Sequence, residues 1–482
     1  MIPRTEVPRL RRLLSVIGIF GLTALGGRAA EAPAIRPAFH VPADPAYTIV
    51  DSANDSLRFT VGKTLRRADC GHLVSVSSFV NPAGEVMGWH DFGNLEGPGW
   101  AANAVGGAWE LWRWARFHSD TNRQAIALGI LDHVLDCGFL DFRTGFIRPY
   151  RETTTGAFVL NYKHRSDWLC PGSMAHVAYQ LLRFADDLPR ANPRRERMRA
   201  MAAKTADWLD RQVESVPNGW YPRRTTAAGQ VYRRSPDGGD DPFWQTSADG
   251  LFILQLAAAL TERGLGDRRP LLRAKTRVFV QAGGIFGSIN HDTYDPAENV
   301  AYSVAFRTLL TVARVTRDDA VRRFAYDHCL RGLEPFKMTD DRNGVATRGL
   351  LFMEKSWDTA YLWENAEAAL AYFEAAADQR RRDPVAARQW ELDGLTILRA
   401  AAKHHYGENG FLTEGVDWNN HVGQQHHILQ APFGAIQYTE PFLNNQHITE
   451  PTLYYLEKLA VRRKANGRTE WRDVEGNLLE GR

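Results

Sequence analysis

The 482-residue chain is 44% hydrophobic and 24% charged, too apolar for a disordered protein and too polar for a bundle of membrane helices. Its 59 Lys and Arg against 56 Asp and Glu leave a formal charge of +3, which excludes the footprint of a nucleic-acid binder and an acidic tail. Fourteen Trp accompany 15 Tyr and 23 Phe, rings that suit a large core or a cleft stacking on flat sugar faces.

The first segment reads as an export signal over residues 1–30. Arg4, Arg9, Arg11 and Arg12 precede an apolar run from Leu13 to Leu25, too short to span a bilayer comfortably, and small residues follow it. Five arginines and one glutamate fall in those thirty residues. Their removal would turn the charge of +3 into −1, and would leave a periplasmic or secreted protein without a membrane contact. Four cysteines, Cys70, Cys137, Cys170 and Cys329, show neither a C-x-x-C nor a Cys/His ligand spacing. No zinc site is expected; buried thiols are the plain expectation, with disulfides open to an exported chain.

Helical periodicity then predicts twelve helices in chain order. They run over 44–65, 100–117, 121–135, 173–185, 193–213, 247–260, 270–280, 296–315, 318–330, 359–377, 384–404 and 449–461. Asp44-Pro45 and Asn192-Pro193 read as N-cap and first-turn signals. The segment 247–260 is apolar nearly all round and should be buried on every side, whereas 193–213 keeps one apolar stripe and exposes Arg, Lys and Glu. That contrast predicts inner and outer helices paired as hairpins. Residues 31–463 form the catalytic domain on this reading, and 464–482 a C-terminal tail.

Short turns join each inner helix to its outer partner, and long loops lead onward to the next inner helix. Such loops are usually functional. They repeat a theme that opens on glycine: Gly145-Phe146, Gly219-Trp220, Gly284-Ile285, Gly344-Val345 and Gly410-Phe411. Most then reach a polar, aromatic-rich stretch, namely 164–168, 240–244, 290–295 and 354–358. The lone first helix can pair with the lone last one and close a ring of six hairpins.

These features resemble the six-hairpin, (α/α)6-toroid superfamily of carbohydrate-active enzymes. Trp89-His90-Asp91-Phe92-Gly93 and Ser166-Asp167-Trp168 are similar to elements of the unsaturated glucuronyl hydrolases. The resemblance implies an all-α (α/α)6 toroid, a cleft at one end, and an oligo- or polysaccharide substrate.

Glycoside hydrolysis needs two carboxyls across the scissile bond, one held protonated. Asp44, Asp295 and Asp383 each precede a proline at a helix start, and Asp358 can also cap, so these read as structural. Asp91, Asp167 and Asp240 lack that explanation; Asp91 and Asp167 are the leading catalytic pair, with Asp240 or Asp241 as substitutes. Trp89, Trp168, Trp244 and Trp357 lie in the loops before inner helices, where such rings either stack on sugar or anchor the loop, whereas Trp109 and Trp112 have core spacing. His90, His164 and Arg165 complete this loop set, and Arg148, Arg151 and Lys163 could meet a uronate carboxylate.

The alternative chemistry is β-elimination by a lyase, which needs a carboxylate-neutralising Asn or Arg and a His or Tyr base. Asn290-His291 with Tyr294, Asn161-Tyr162 with His164 and Arg165, and Asn420-His421 near His426-His427 supply such sets. A glycan-binding protein without catalysis would keep the aromatic residues alone. The acidic cluster Asp237, Asp240 and Asp241 has the look of a terpenoid-cyclase motif, which export disfavours. Neither a cofactor nor a metal is expected, and hydrolysis is favoured.

Overall fold

The structure, a computed structural model, describes residues 46–481 apart from 77, 88–93, 163–166, 236–237, 288, 290–294, 407–408 and 420–433. The export segment and Asp44-Pro45 lie outside the described residues. Among the described residues there are twelve α-helices: α1 (Ile49–Phe59), α2 (Ala104–Phe117), α3 (Thr121–Asp136), α4 (Pro171–Asp187), α5 (Pro193–Gln212) and α6 (Gly250–Glu262). Then follow α7 (Arg269–Gln281), α8 (Asn299–Thr316), α9 (Asp319–Phe324), α10 (Leu362–Gln379), α11 (Pro384–Ala402) and α12 (Thr449–Lys458).

Helices α2, α4, α6, α8, α10 and α12 touch in that order, and α12 returns to α2. The other six pack outside them, α3 on α2, α5 on α4, α7 on α6, α9 on α8, α11 on α10 and α1 on α12. This is the (α/α)6 toroid. The closure joining the first and last helices carries hydrogen bonds: Asn445 Nδ2 donates to Ser56 O at 2.8 Å and to Thr60 Oγ1 at 2.9 Å.

The two rings are built differently. Five of the outer helices start on a side-chain cap, from Thr48, Asp120, Asn192, Asp318 and Asp383. Each satisfies backbone N–H groups that the first turn leaves without partners. None of the six inner helices has a hydrogen bond from its own N-cap side chain. Helix α2 also carries Gly106 and Gly107, each unfavourable by about 1 kcal/mol in a helix. A Cβ at Gly107 would fall 2.3 Å from the Phe442 ring, and one at Gly106 2.4 Å from Gln180 Nε2. Close approach to the neighbouring inner elements therefore requires glycine.

At Gly145 and Gly410 the glycine–aromatic theme has the same kind of cause. Gly145 has φ of 88°, and a Cβ there would lie 2.3 Å from Lys204 O of α5. Gly410, at φ of 86°, would meet Asp55 O of α1 at 2.3 Å. Left-handed backbone pressed against the next outer helix admits only glycine. The buried residue after each, such as Ile147 or Phe411, then plugs the gap between hairpins.

Four small antiparallel sheets add to the all-helical expectation. Strands β1 (Leu65–Arg67) and β2 (Leu73–Ser75) pair. Strands β3 (Leu95–Glu96), β4 (Tyr150–Glu152) and β5 (Phe158–Val159) tie the loops that enter α2 and α4. Strands β6 (Thr359–Tyr361), β7 (Gly415–Asp417) and β8 (Gly434–Ala435) do the same before α10 and α12. Strands β9 (Val461–Ala465), β10 (Arg468–Arg472) and β11 (Leu478–Gly481) occupy the stretch expected to be a tail. The signal for them is Asn466-Gly467, at φ of 50° and 76°, a dipeptide suited to a two-residue hairpin. Trp471 anchors this sheet against Phe117, 5.5 Å between rings.

The cysteines divide. Cys170 and Cys329 are buried thiols, while Cys70 and Cys137 form a disulfide across 67 residues of sequence. Removing it by Cys70→Ser with Cys137→Ser should lower stability by about 2–4 kcal/mol in denaturant titration; an unchanged midpoint would show that the bond constrains nothing.

A second stability effect comes from His404. Its ring is buried and Nε2 donates to Ala346 O at 2.9 Å. Burial pushes its pKa down from 6.5 to about 4. The stabilisation from keeping it neutral is present above pH 6.5 and is lost as pH falls toward 4. His404→Gln should therefore gain on the wild type by ~3 kcal/mol between pH 7 and pH 4. A constant difference across that range would refute the assignment.

Candidate active site

The loop residues expected to act are only partly brought together. Trp89, His90, Asp91, Lys163, His164, Arg165, Asp237, Asn290, His291, Tyr294, Asn420, His421, His426 and His427 lie outside the described residues. Asp167, Trp168, Asp240, Asp241 and Trp244 do share one loop layer, because Leu169 bridges to Thr225, Thr225 to Val231, and Arg234 to Asp240. Within it Asp167 is exposed and accepts a hydrogen bond from the Tyr232 hydroxyl. Asp240 is exposed as well.

Asp241 and Trp168 have other work. Asp241 is 2% exposed and is paired with Arg223 at 3.1 Å and with Arg224. Both guanidiniums are buried, so this carboxylate neutralises them rather than facing a cleft. Trp168 is fully buried, under the Arg224 guanidinium at 4.9 Å and edge-on to Tyr162. Trp357 is buried too. These two rings anchor loops and offer no face to a sugar. Trp244 is partly exposed, with Arg233 over its ring at 4.4 Å.

The uronate-binding expectations are likewise engaged within the protein. Arg151 pairs with buried Glu96, its Nε at 2.7 Å, and Arg148 donates to Gly138 O at 2.8 Å. Asn161 is buried and donates to Trp168 O at 2.8 Å.

A stronger constellation lies on the axis, on residues that sequence patterning assigns to core helices. The π-helical turn Pro441–Asn445 precedes α12 and carries Gln446 and His447 toward α2 and α10. His447 Nδ1 donates to Glu110 Oε1 at 2.8 Å, and Nε2 donates to Glu367 Oε1 at 3.0 Å. Glu367 also receives Arg307 Nη1, whose Nε donates to Glu374 Oε1 at 3.1 Å. Arg183 Nη2 donates to Glu450 Oε1 at 2.5 Å, and its guanidinium lies 3.7 Å from the Trp109 ring centroid. All of these groups except Arg183 and Glu374 are under 10% exposed.

Burial and neighbours push the titrations apart. Burial raises Glu110 to about 7, the His447 bond only partly opposing it. Burial pulls His447 down, but hydrogen bonds to Glu110 and Glu367 outweigh it and raise it to about 10. For Glu367 the burial penalty is overcome by Arg307 and His447, and its carboxylate stays ionised. Glu110 is thus a carboxyl poised near neutrality beside a fixed imidazolium.

Above this layer stands a ring of apolar faces around one imidazole. His176 packs against Trp100 at 4.7 Å and Phe252 at 4.9 Å, and Trp100 meets Trp363 at 5.2 Å. Gln180 Nε2 donates to His176 Nε2 at 2.7 Å and to Asn103 Oδ1 at 2.9 Å. That fixes the tautomer with the proton on Nδ1, which has no partner among the described residues. Burial drops His176 to about 3, so it is a neutral donor at working pH. His176, Glu110, Glu367 and His447 line one enclosed cavity of about 10 Å³, room for about one water.

One more buried carboxyl sits at the loop end. Asp249 immediately precedes α6, and a Cβ on Gly172 of α4 would come 2.7 Å from its Cγ. Burial raises Asp249 to about 7 against the pull of Arg223 and Arg224. Ligand atoms of Glu110, His447 and Glu450 lie within 4.8 Å of one another. Arg183 and Arg307 pair with Glu450, and His447 donates to Glu110, so each donor of this set is already engaged within the protein.

No protein-family model matches the chain, and no curated protein matches it. Solved structures do. Cellobiose 2-epimerase from Bacillus thermoamylovorans B4167 is 10% identical, with a TM-score of 0.56, over 84% of this chain and 99% of that one. D-mannose isomerase is 11% identical, with a TM-score of 0.55, over 85% and 97%. A sugar epimerase from a ruminal bacterium is 11% identical, with a TM-score of 0.54, over 83% and 97%. The ring of six helical hairpins in this chain is the fold of these carbohydrate-active toroids.

Proposed function

We propose that the protein is a carbohydrate-active enzyme that moves protons on a saccharide at the axis of the ring. The observation that carries this reading is the Glu110–His447–Glu367 chain, in which neighbouring groups have titrations driven apart, as acid–base sites require. Proteins sharing the fold are named for epimerising or isomerising sugars. Epimerisation or isomerisation beside a sugar carbonyl is accordingly the first reaction assigned. Glu110 exchanges the proton near neutral pH. The cavity these groups line is enclosed and holds about one water, so a sugar reaches them only when the Trp100, Phe252 and Trp363 rings move aside. His447, held charged, then stabilises the oxyanion that develops, and His176 Nδ1–H donates to a sugar oxygen.

Hydrolysis is the second reading, favoured by exposed Asp167 beside Tyr232 and by the proton that Asp249 retains near neutrality. Proton NMR in D₂O with D-mannose, D-glucose and cellobiose separates the two. Deuterium entering at C2, with a new epimer or ketose, is expected. Release of glucose from cellobiose with C2–H intact would transfer the assignment to hydrolysis, and unchanged sugars would overturn both.

We also propose export, supported by the basic and apolar pattern of residues 1–30 and by the Cys70–Cys137 disulfide. No helix among the described residues is long and apolar enough to cross a membrane. Mass spectrometry of the protein from an expressing bacterium should find the chain starting near residue 30; a retained Met1 would refute the signal.

A further inference from the structure

The axial groups reach a second end of the ring. At the C-terminal ends of α6, α8 and α10 a polar cavity of about 340 Å³ opens on the side opposite the long loops. Its wall includes Tyr179, Gln255, Thr311, Arg314, Glu374 and Tyr454. Tyr179 and Gln255 also line the enclosed axial cavity, so one layer of side chains separates the two.

Three observations point to an occupant with hydroxyl groups. First, the Gln255 side chain is 7% exposed, and its Oε1 has no hydrogen-bond partner among the described residues. A buried amide oxygen left so is unfavourable, unless a ligand or water donates to it. Second, the charges around the cavity cancel within the protein. Arg314 Nε donates to Glu262 at 2.8 Å, Arg263 Nε is 2.5 Å from Asp186, and Asp378 takes Arg322 and the Tyr326 hydroxyl. Neither an anion nor a cation is called for. Third, Tyr179 and Tyr454 present phenol rings with polar tips, the combination that suits a molecule with apolar faces and a hydroxylated edge.

The position has a consequence for the axial site. Glu374 in this wall accepts from Arg307 Nε at 3.1 Å, Arg307 holds Glu367, and Glu367 holds His447. A ligand hydroxyl that engages Glu374 therefore acts on the far end of the acid–base chain, through an unbroken run of charged hydrogen bonds.

We propose that this cavity is a second binding site, for an uncharged polyhydroxylated ligand of sugar size, and that Gln255 and Glu374 are its polar anchors. The site does not rest on the catalytic reading, since it lies on the other face of the axial layer.

Saturation-transfer NMR with D-mannose, D-glucose and cellobiose at pH 7 tests it. Ala377 lines the cavity without a hydrogen bond in the charged network, so Ala377→Phe fills the space. With wild type, at least one sugar is expected to give a signal that falls at least ~10-fold in Ala377→Phe and persists in Glu110→Gln. Thr311→Met is the second filling variant should Ala377→Phe lose its cooperative thermal transition. No signal from any of the three sugars, or a signal the same in both filling variants, overturns the proposal. Binding without turnover would count against the proposed function alone, and turnover without a filling-sensitive signal against this site alone.

Discussion

Arg307→Ala should destabilise the protein by about 3–5 kcal/mol, the largest effect expected of any single side chain at the axis. The substitution leaves the Glu367 and Glu374 carboxylates without the guanidinium that now lies between them and Glu450. Three negative groups would then share the middle of the ring, with only His447 and Arg183 to answer them. Arg307→Lys keeps the charge but loses the planar fork, and should recover only part of the loss. Urea titrations of the three proteins provide the comparison. If Arg307→Ala melts within 0.5 kcal/mol of wild type, the network is not a buried ionic core.

Glu110→Gln should lower turnover by roughly 10²- to 10⁴-fold with little change in folding. Gln keeps the volume and an oxygen for His447 Nδ1–H, but has no proton to exchange near pH 7. In the wild type, burial places the Glu110 carboxyl near that pH. The pH–rate profile of the wild type should therefore carry a limb near 7 that the variant lacks. Asp167→Asn is the control: it is exposed in the loop layer, and its turnover should match wild type if proton transfer at the axis is the reaction. A loss confined to Asp167→Asn, with Glu110→Gln fully active, would move the chemistry to the loops.

The outer helices α3, α5 and α11 were the most legible part of the sequence because their starts are written in side chains, whereas α1 starts at Ile49 on a cap from Thr48 and not at Asp44-Pro45. Asp120, Asn192 and Asp383 donate no helical pattern of their own, yet each marks a first turn to within a residue. Inner helices α2, α6, α8 and α10 begin three or four residues later than periodicity suggests, with no capping side chain to mark the place. Their entering strands and close contacts with other loops decide where they start, and these are tertiary facts.

The axial site was hidden for a related reason. Glu110, Arg183 and Arg307 each stand in a largely apolar stretch of an inner helix, where a charge reads as a tolerated exception, and Glu367 is one of four acids on α10 with nothing local to single it out. The available signal was their recurrence: one or two ionisable residues near the middle of several inner helices can converge only if those helices form a ring. Aromatic residues misled in the opposite direction. Trp168 and Trp357 are in the loops that border a cleft, but loops this long need their own cores, and these rings fill them.

Closure of the ring sets an order on folding. The bonds from Asn445 to Ser56 and Thr60 span nearly four hundred residues, and Glu110 cannot find His447 until the same part of the chain exists. Loops of that length close slowly. Hairpins such as α4 with α5 can form during synthesis, but an unfinished chain leaves its inner faces and their charges open to water. Glu110 and His447 therefore meet only in the final step of assembly, so a truncated chain ending before α12 should lose whatever turnover the full chain shows, whichever helices it retains.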